Sequence, residues 1–353
     1  MRKRFITFVL FAIGIALFIF TLKIVGLSQV KEALFLLNFW ELILCLITLF
    51  TGIVVFGALK WWIIMKTKTE ETPKFSKTFL IKWIGSSVSY LTPAALFGGE
   101  PVRFYVLKRE CNISSSQIVS SIILDKLILI LASSVYFFLG IFFLLIYLDL
   151  SWLNEIILFG FLFSIMLIFW QLLRAVGKIS SEKGLFVILT ERLRLNKLKF
   201  VKKHQERIFE IEREVVDFFK LPKKIIFQII FLAVIEVAVT LSACWLIIFF
   251  MGQTLEISKL FAIKSMVDIS YVIPFPAALG SLEISQAFIF QILGFGLATG
   301  VAFSLILRGF NFIIAFFGLL ILGCFQIKFL GKRIINLFSK IFININKNEE
   351  NSD

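Results

Sequence analysis

The sequence predicts an all-α polytopic integral membrane protein. Its expected layout is about six full spans plus two re-entrant hairpins in an inverted repeat, with both termini cytoplasmic. Three observations carry this. The 353 residues are 59% hydrophobic and only 17% charged, against about 45–50% and about 25% in a soluble domain. Seven long runs carry no charge. Two Pro- and Gly-rich interruptions resemble each other.

A membrane helix needs ~20 mostly apolar residues to cross ~30 Å of hydrocarbon. The charge-free runs are Phe5–Leu22, Leu42–Leu59, Leu127–Leu148, Ile156–Leu173, Val237–Leu255, Ile284–Leu307 and Gly309–Ile327, the last two separated only by Arg308. The first follows Arg2-Lys3-Arg4 but lacks an Ala-x-Ala cleavage site, so it reads as a span rather than a signal peptide.

Positive charge sets the orientation. Bases gather at the N-terminus, at Lys66, Lys68, Lys74, Lys77 and Lys82, in 174–224 (14 Lys/Arg against 7 Asp/Glu) and after Ile327. The connections between them are poorer in bases, so the basic set is expected inside. A net charge of +14 would suggest nucleic acid in a soluble protein. In a membrane chain it reads as positive-inside residues facing anionic lipid, and nucleic acid is not expected as a partner. The chain divides as 1–150, a first membrane half with a break near 92–100; 151–330, a second half with a break near 273–283; and 331–353, a cytoplasmic tail. Residues 206–219 (ERIFEIEREVVDFF) have apolar positions at helical spacing. They are expected to lie as an amphipathic helix on the cytoplasmic surface.

The two breaks are the unusual segments. One runs through Pro93, Gly98, Gly99, Glu100 and Arg103, the other through Pro274, Pro276, Gly280 and Glu283. Broken backbone at membrane depth survives only where protein or water covers it, so both read as hairpins lining a cavity. Pro-Ala-Ala-Leu followed by Gly and a Glu occurs in each, with small offsets. With three spans per half the halves have opposite orientation, a common construction for transporters with a midplane site.

Charges at membrane depth are costly and are candidate functional groups. Those in view are Glu100, Arg103, Asp125, Lys126, Glu236, Lys264, Asp268, Glu283 and Arg308. Arg308 is the sharpest, because charge-free runs flank it on both sides; it requires an anionic partner from protein or ligand. The competing reading is structural pairing. Lys264 and Asp268 are spaced to pair on one helix face, and Asp125 and Lys126 could snorkel at the interface. Glu100 and Glu283 could each cap the helix that follows. Gly98-Gly99 opening a helix, with Arg103 one turn on, suits a lipid phosphate.

No GxSxG, HExxH or Walker loop is present, the one histidine is His204, and the four cysteines lie far apart. No catalytic residue, metal site or cofactor is expected. The runs Leu91-Thr92-Pro93-Ala94-x-x-x-Gly98-Gly99-Glu100-Pro101-Val102-Arg103, Leu124-Asp125-Lys126-Leu127 and Ile273-Pro274-Phe275-Pro276-x-x-x-Gly280-x-x-Glu283 resemble the transmembrane, flippase-like region of the lysylphosphatidylglycerol synthases. Two positions depart from that family. Ala277-Ala278 stand where Gly-Gly is usual, and Lys126 stands where Arg is commoner.

The resemblance implies a stand-alone form without the C-terminal aminoacyltransferase domain, placed in a plasma membrane as a multi-pass protein. It implies that the chain moves a lipid between leaflets. The partners expected are membrane lipids, either an anionic phospholipid or a lipid-linked headgroup. In such a translocator Arg103 and Arg308 would receive the lipid phosphate, with Glu100 and Glu283 completing the headgroup site. Two alternatives stand beside it: a membrane-embedded headgroup transferase related to phosphatidylglycerol lysyltransferase, and a non-catalytic subunit docking a cytosolic enzyme on 174–224.

Overall fold

The computed structural model describes residues 19–21, 23–24, 27–69, 72–92, 98–148, 210–218 and 220–350, with side chains as far as residue 325. Among the described residues the regular structure is helical. In chain order the helices are α1 (Leu27–Leu34), α2 (Phe39–Lys68), α3 (Phe75–Leu91), α4 (Glu100–Glu110) and α5 (Ser115–Tyr147), then α6 (210–218), α7 (Lys223–Phe250), α8 (Ile257–Val272), α9 (Ser281–Ile292) and α10 (Leu297–Glu350). Four of them are long and apolar enough to cross a membrane: α2, α5, α7 and the part of α10 up to Phe325. The expected spans at Phe5–Leu22 and Ile156–Leu173 lie wholly or almost wholly outside the described residues.

Local chemistry sets the helix ends. Asn38 opens α2, with its N–H donating to Glu41 Oε2 at 2.7 Å. Ser114 opens α5 by accepting from the Gln117 N–H at 3.2 Å. These are capping boxes that satisfy otherwise orphaned donors. α3 stops at Thr92 and α8 at Ile273, both extended. Each precedes a proline, whose ring excludes helical backbone from the residue before it. After each break a short helix begins, α4 at Glu100 and α9 at Ser281. At about 1.5 Å per residue, α3 and α8 reach roughly 25 Å, short of the ~30 Å hydrocarbon layer. The apolar stretch 284–307 is likewise divided, between α9 and α10, where Gly294 and Gly296 both take positive φ. Within α2, residues Thr51–Phe56 form a π-helical turn.

The element order repeats. A long helix (α2, α7) is followed by a short one (α3, α8), a break, a second short helix (α4, α9) and another long one (α5, α10). The hairpins trade partners between halves. α3 packs on α10, α8 packs on α5, and the two leading long helices, α2 and α7, pack on each other. The hairpin tips also meet, with the Tyr90 and Tyr271 rings 6.2 Å apart. The outer surface is apolar: Phe227, Phe231 and Phe249 on α7 and Phe312, Phe316 and Leu320 on α10 are all exposed. In water such a surface would aggregate; in lipid it is the expected face.

α6 differs from expectation in what it touches. Val215 and Phe218 pack with Ile64, Leu124, Ile128 and Ile229 rather than facing lipid. Its polar side is tied down by Lys68–Glu214 at 3.0 Å and by Ser116 donating to Glu210 at 2.8 Å. A helix with two apolar side chains per turn gains more by covering the ends of α2, α5 and α7 than by lying on headgroups. The remainder of 174–209 lies outside the described residues.

Candidate functional site

Among the described residues, three groups of charge lie inside the bundle. The largest centres on Asp125, which is 1% exposed. Lys60 Nζ is 3.1 Å from its Oδ1, and Lys82 Nζ and Arg103 Nη2 are 2.8 and 2.9 Å from its Oδ2. Lys60 also pairs with Glu236 at 2.7 Å. The five side chains come from α2, α3, α4, α5 and α7, so the group ties both halves together. The Arg103 guanidinium stacks 3.8 Å above the Trp61 ring, and Trp61 Nε1 donates to Ser121 Oγ at 3.3 Å. Arg103 Nε has no acceptor among the described residues.

The first break forms the edge of this group. Glu100 Oε1 lies 3.1 Å from Lys126 Nζ and 3.7 Å from Arg103 Nη1. Glu100 therefore serves the bases and does not cap α4. The Gly99 N–H is satisfied by Ser89 Oγ at 2.9 Å. Gly99 is required here, because a Cβ would fall 1.8 Å from the Gly85 carbonyl oxygen. Pro93 lies outside the described residues.

The second group is at the second break. Arg308 Nε donates to Glu283 Oε1 at 2.8 Å, while its two Nη atoms donate to the Ala277 and Ala278 carbonyls at 3.1 Å each. Glu283 Oε2 accepts the Gly280 N–H at 2.8 Å, so it caps α9 as expected. Ala277 and Ala278 have φ of 52° and 49°, the left-handed region that costs a residue with a Cβ about 1–2 kcal/mol. The guanidinium fork holds that turn. Pro276 opens the single 3₁₀ turn that carries the two alanines, and Pro274 ends α8 through its effect on Ile273.

The third group joins α8 to α5. Lys264 Nζ pairs with Asp268 Oδ1, the Tyr136 hydroxyl donates to Asp268 Oδ2, and Lys264 Nζ lies 3.3 Å from the Tyr136 oxygen. The i,i+4 pairing expected from sequence is present; its third member, 128 residues upstream of Lys264, carried no local signal.

Several expectations are thereby corrected. Asp125 does not snorkel at an interface: it is buried at the centre of the first group, and Lys126 turns to Glu100. Arg308 finds its anion in the protein, at Glu283. Lys82, counted above with the loop bases that set orientation, is 5% exposed and buried in the first group. Lys60 follows an apolar run in the sequence, where a base marks a span's end, yet it is fully buried. A sequence signal for Asp125 did exist. It follows Glu100 by the same interval that separates Arg308 from Glu283 (125 − 100 = 308 − 283), so the two long helices carry their buried charges at matching positions.

Desolvating a charge costs several kcal/mol unless partners repay it. Five charges from five elements are an expensive way to join helices that apolar side chains could join. The arrangement can hold a phosphate, because Arg103 and Lys82 present donors that an incoming oxyanion could share with Asp125. No curated protein matches the chain. Residues 7–318, a stretch that contains both breaks and all three charge groups, match the family described as the lysylphosphatidylglycerol synthase TM region, and the chain is therefore a multi-pass membrane protein belonging to that family.

Proposed function

We propose that this chain translocates an anionic lipid, a phospholipid or a lipid-linked headgroup, between the leaflets of the plasma membrane, and that the first break receives the lipid phosphate. The observation that carries the reading is the convergence of Lys60, Lys82 and Arg103 on Asp125, with Arg103 Nε still open, beside a Gly-Gly helix start. A phosphate entering there shares Arg103 and Lys82 with Asp125, while Lys60 bridges Asp125 and Glu236. The charges at membrane depth are then compensated at each stage. The acyl chains remain in the bilayer along the exposed apolar faces.

Two features support movement rather than mere binding. The repeated element order, with hairpins trading partners, suits two halves of opposite orientation that rock about a midplane site. α3 and α8 both end at extended pre-proline residues, Thr92 and Ile273, so each hairpin is interrupted at its tip. A headgroup transferase would need an unengaged base at the first break, and both Asp125 oxygens are already held by cations there.

Binding tests the site directly. Purified protein is titrated with short-chain phosphatidylglycerol and, separately, with short-chain phosphatidylcholine. The expected result is preference for the anionic lipid, with Arg103→Gln weakening it by about tenfold or more, the scale of one charge-assisted hydrogen bond. Equal binding of both lipids, or no effect of Arg103→Gln in a folded protein, overturns the assignment of the phosphate to the first break.

A further inference from the structure

The third charge group is not used by the phosphate site, and it differs from the other two in a way that bears on what drives transport. A carboxylate at membrane depth can exchange a proton only if water reaches it and if the bases around it tolerate its neutral form. Asp125 meets neither condition. Its side chain is 1% exposed, and neutralising it leaves Lys82 and Arg103 facing each other. Glu283 is fully enclosed and Glu236 is 5% exposed. Neutralising Glu283 would strand Arg308, whose remaining partners are two carbonyls.

Asp268 meets both. Its side chain is 29% exposed, and its one cation among the described residues, Lys264, is 13% exposed. It lies eleven residues into α8, about 16 Å along the axis, one turn before the helix ends at the second break. An exposed carboxylate at such depth is stable only against water or a polar crevice. When it is neutral, Lys264 retains the Tyr136 hydroxyl at 3.3 Å and the ring face at 5.3 Å. Among the described residues the surrounding groups are few. Lys264 and Tyr271 are on the same helix, Tyr136 comes from α5, and the thiol of Cys244 comes from α7. α9 sends its carboxylate to Arg308 and presents Ser285 to Ser270.

We infer that Asp268, Lys264 and Tyr136 form a proton-binding latch between α8 of the second hairpin and α5 of the first half. A proton from water converts the carboxylate to the acid. This removes the counter-ion of Lys264 and the charge-assisted hydrogen bond from Tyr136. What remains between these helices is the Lys264 contact with Tyr136 and two neutral hydrogen bonds, Ser265 to the Phe137 carbonyl at 3.2 Å and Tyr147 with Ser258 at 2.9 Å. Proton entry thus loosens the second hairpin from the first half, and the proton gradient supplies the drive. That use rests on the translocator reading; the existence of the latch does not.

The test has two arms. In the first, infrared difference spectra of the wild type in proteoliposomes are taken between alkaline and acidic pH. A carboxylic acid C=O band is expected to appear on acidification, to be lost in Asp268→Asn and to be shifted in Tyr136→Phe. If Asp268→Asn does not fold, the shift in Tyr136→Phe must still occur. No such band, or a band indifferent to both substitutions, overturns the latch whether or not lipid moves. In the second arm, lipid distribution is measured with an imposed pH gradient. For one proton per lipid, each unit of gradient changes the leaflet ratio by up to about tenfold, and Asp268→Asn abolishes the response. Lipid that moves without regard to the gradient overturns the coupling. A band without any lipid movement supports the latch and removes the translocator reading instead.

Discussion

Asp125→Asn is the substitution with the clearest expected cost. The asparagine keeps the shape of the side chain but removes the only negative charge among the described residues within 3 Å of Lys82 and Arg103, which now stand at 2.8 and 2.9 Å from it. Lys60 retains Glu236 at 2.7 Å, and Arg103 retains Glu100 only at 3.7 Å, too far for a hydrogen bond. Removing one partner from a buried pair typically costs about 3–5 kcal/mol, because the other charge is left without compensation. Two cations are stranded here, so the upper end of that range is expected. In thermal unfolding of the detergent-solubilised protein this lowers the midpoint by about 10 °C, at roughly 2–4 °C per kcal/mol for a large chain. Asp217→Asn is the control. Its pair with Lys220 is 45% and 62% exposed, and such pairs are worth little. Adding Lys82→Met to Asp125→Asn should restore part of the loss, since removing both partners is far cheaper than removing one. If Asp125→Asn melts with Asp217→Asn, the buried network does not exist as described.

The second break gives two further expectations. Ala277→Gly and Ala278→Gly relieve left-handed backbone at the cost of a looser unfolded chain; each should stabilise by roughly 0.5–1 kcal/mol in the same melting assay, whereas glycine at an ordinary helical position would destabilise. Arg308→Lys keeps the charge on Glu283 but loses the planar fork that reaches both alanine carbonyls. It should lower the melting point and raise amide exchange across 276–280, read by hydrogen-exchange mass spectrometry, while Lys82→Arg at the first break leaves that segment unchanged.

Local rules read the frame of this fold well. Absence of charge marks the apolar runs, though the run 284–307 is divided between α9 and α10, and the prolines after Thr92 and Ile273 mark where the short helices must stop. The isolation of Arg308 demanded an acid, and Glu283 is that acid. Local rules failed at depth and at distance. A count of bases per connection cannot tell Lys77, half-buried beside Glu110, from Lys82 five residues later inside the bundle. Nothing near Lys60 announces partners 65 and 176 residues away in Asp125 and Glu236. Tyr136 reads as one more aromatic in an apolar run until α8 is laid against α5. The matching interval from Glu100 to Asp125 and from Glu283 to Arg308 was in the sequence throughout; recognising it needed the knowledge that both long helices follow a break.

Lipid translocation in proteoliposomes is the most direct test of the central claim. A labelled anionic phospholipid is followed by the accessibility of its headgroup to a membrane-impermeant quencher, with wild type, Arg103→Ala and Arg308→Ala reconstituted at equal amounts and shown to be folded. The account predicts that the wild type exposes the inner-leaflet pool and that both variants leave it protected. Protection by all three proteins, or equal movement in all three, would contradict it.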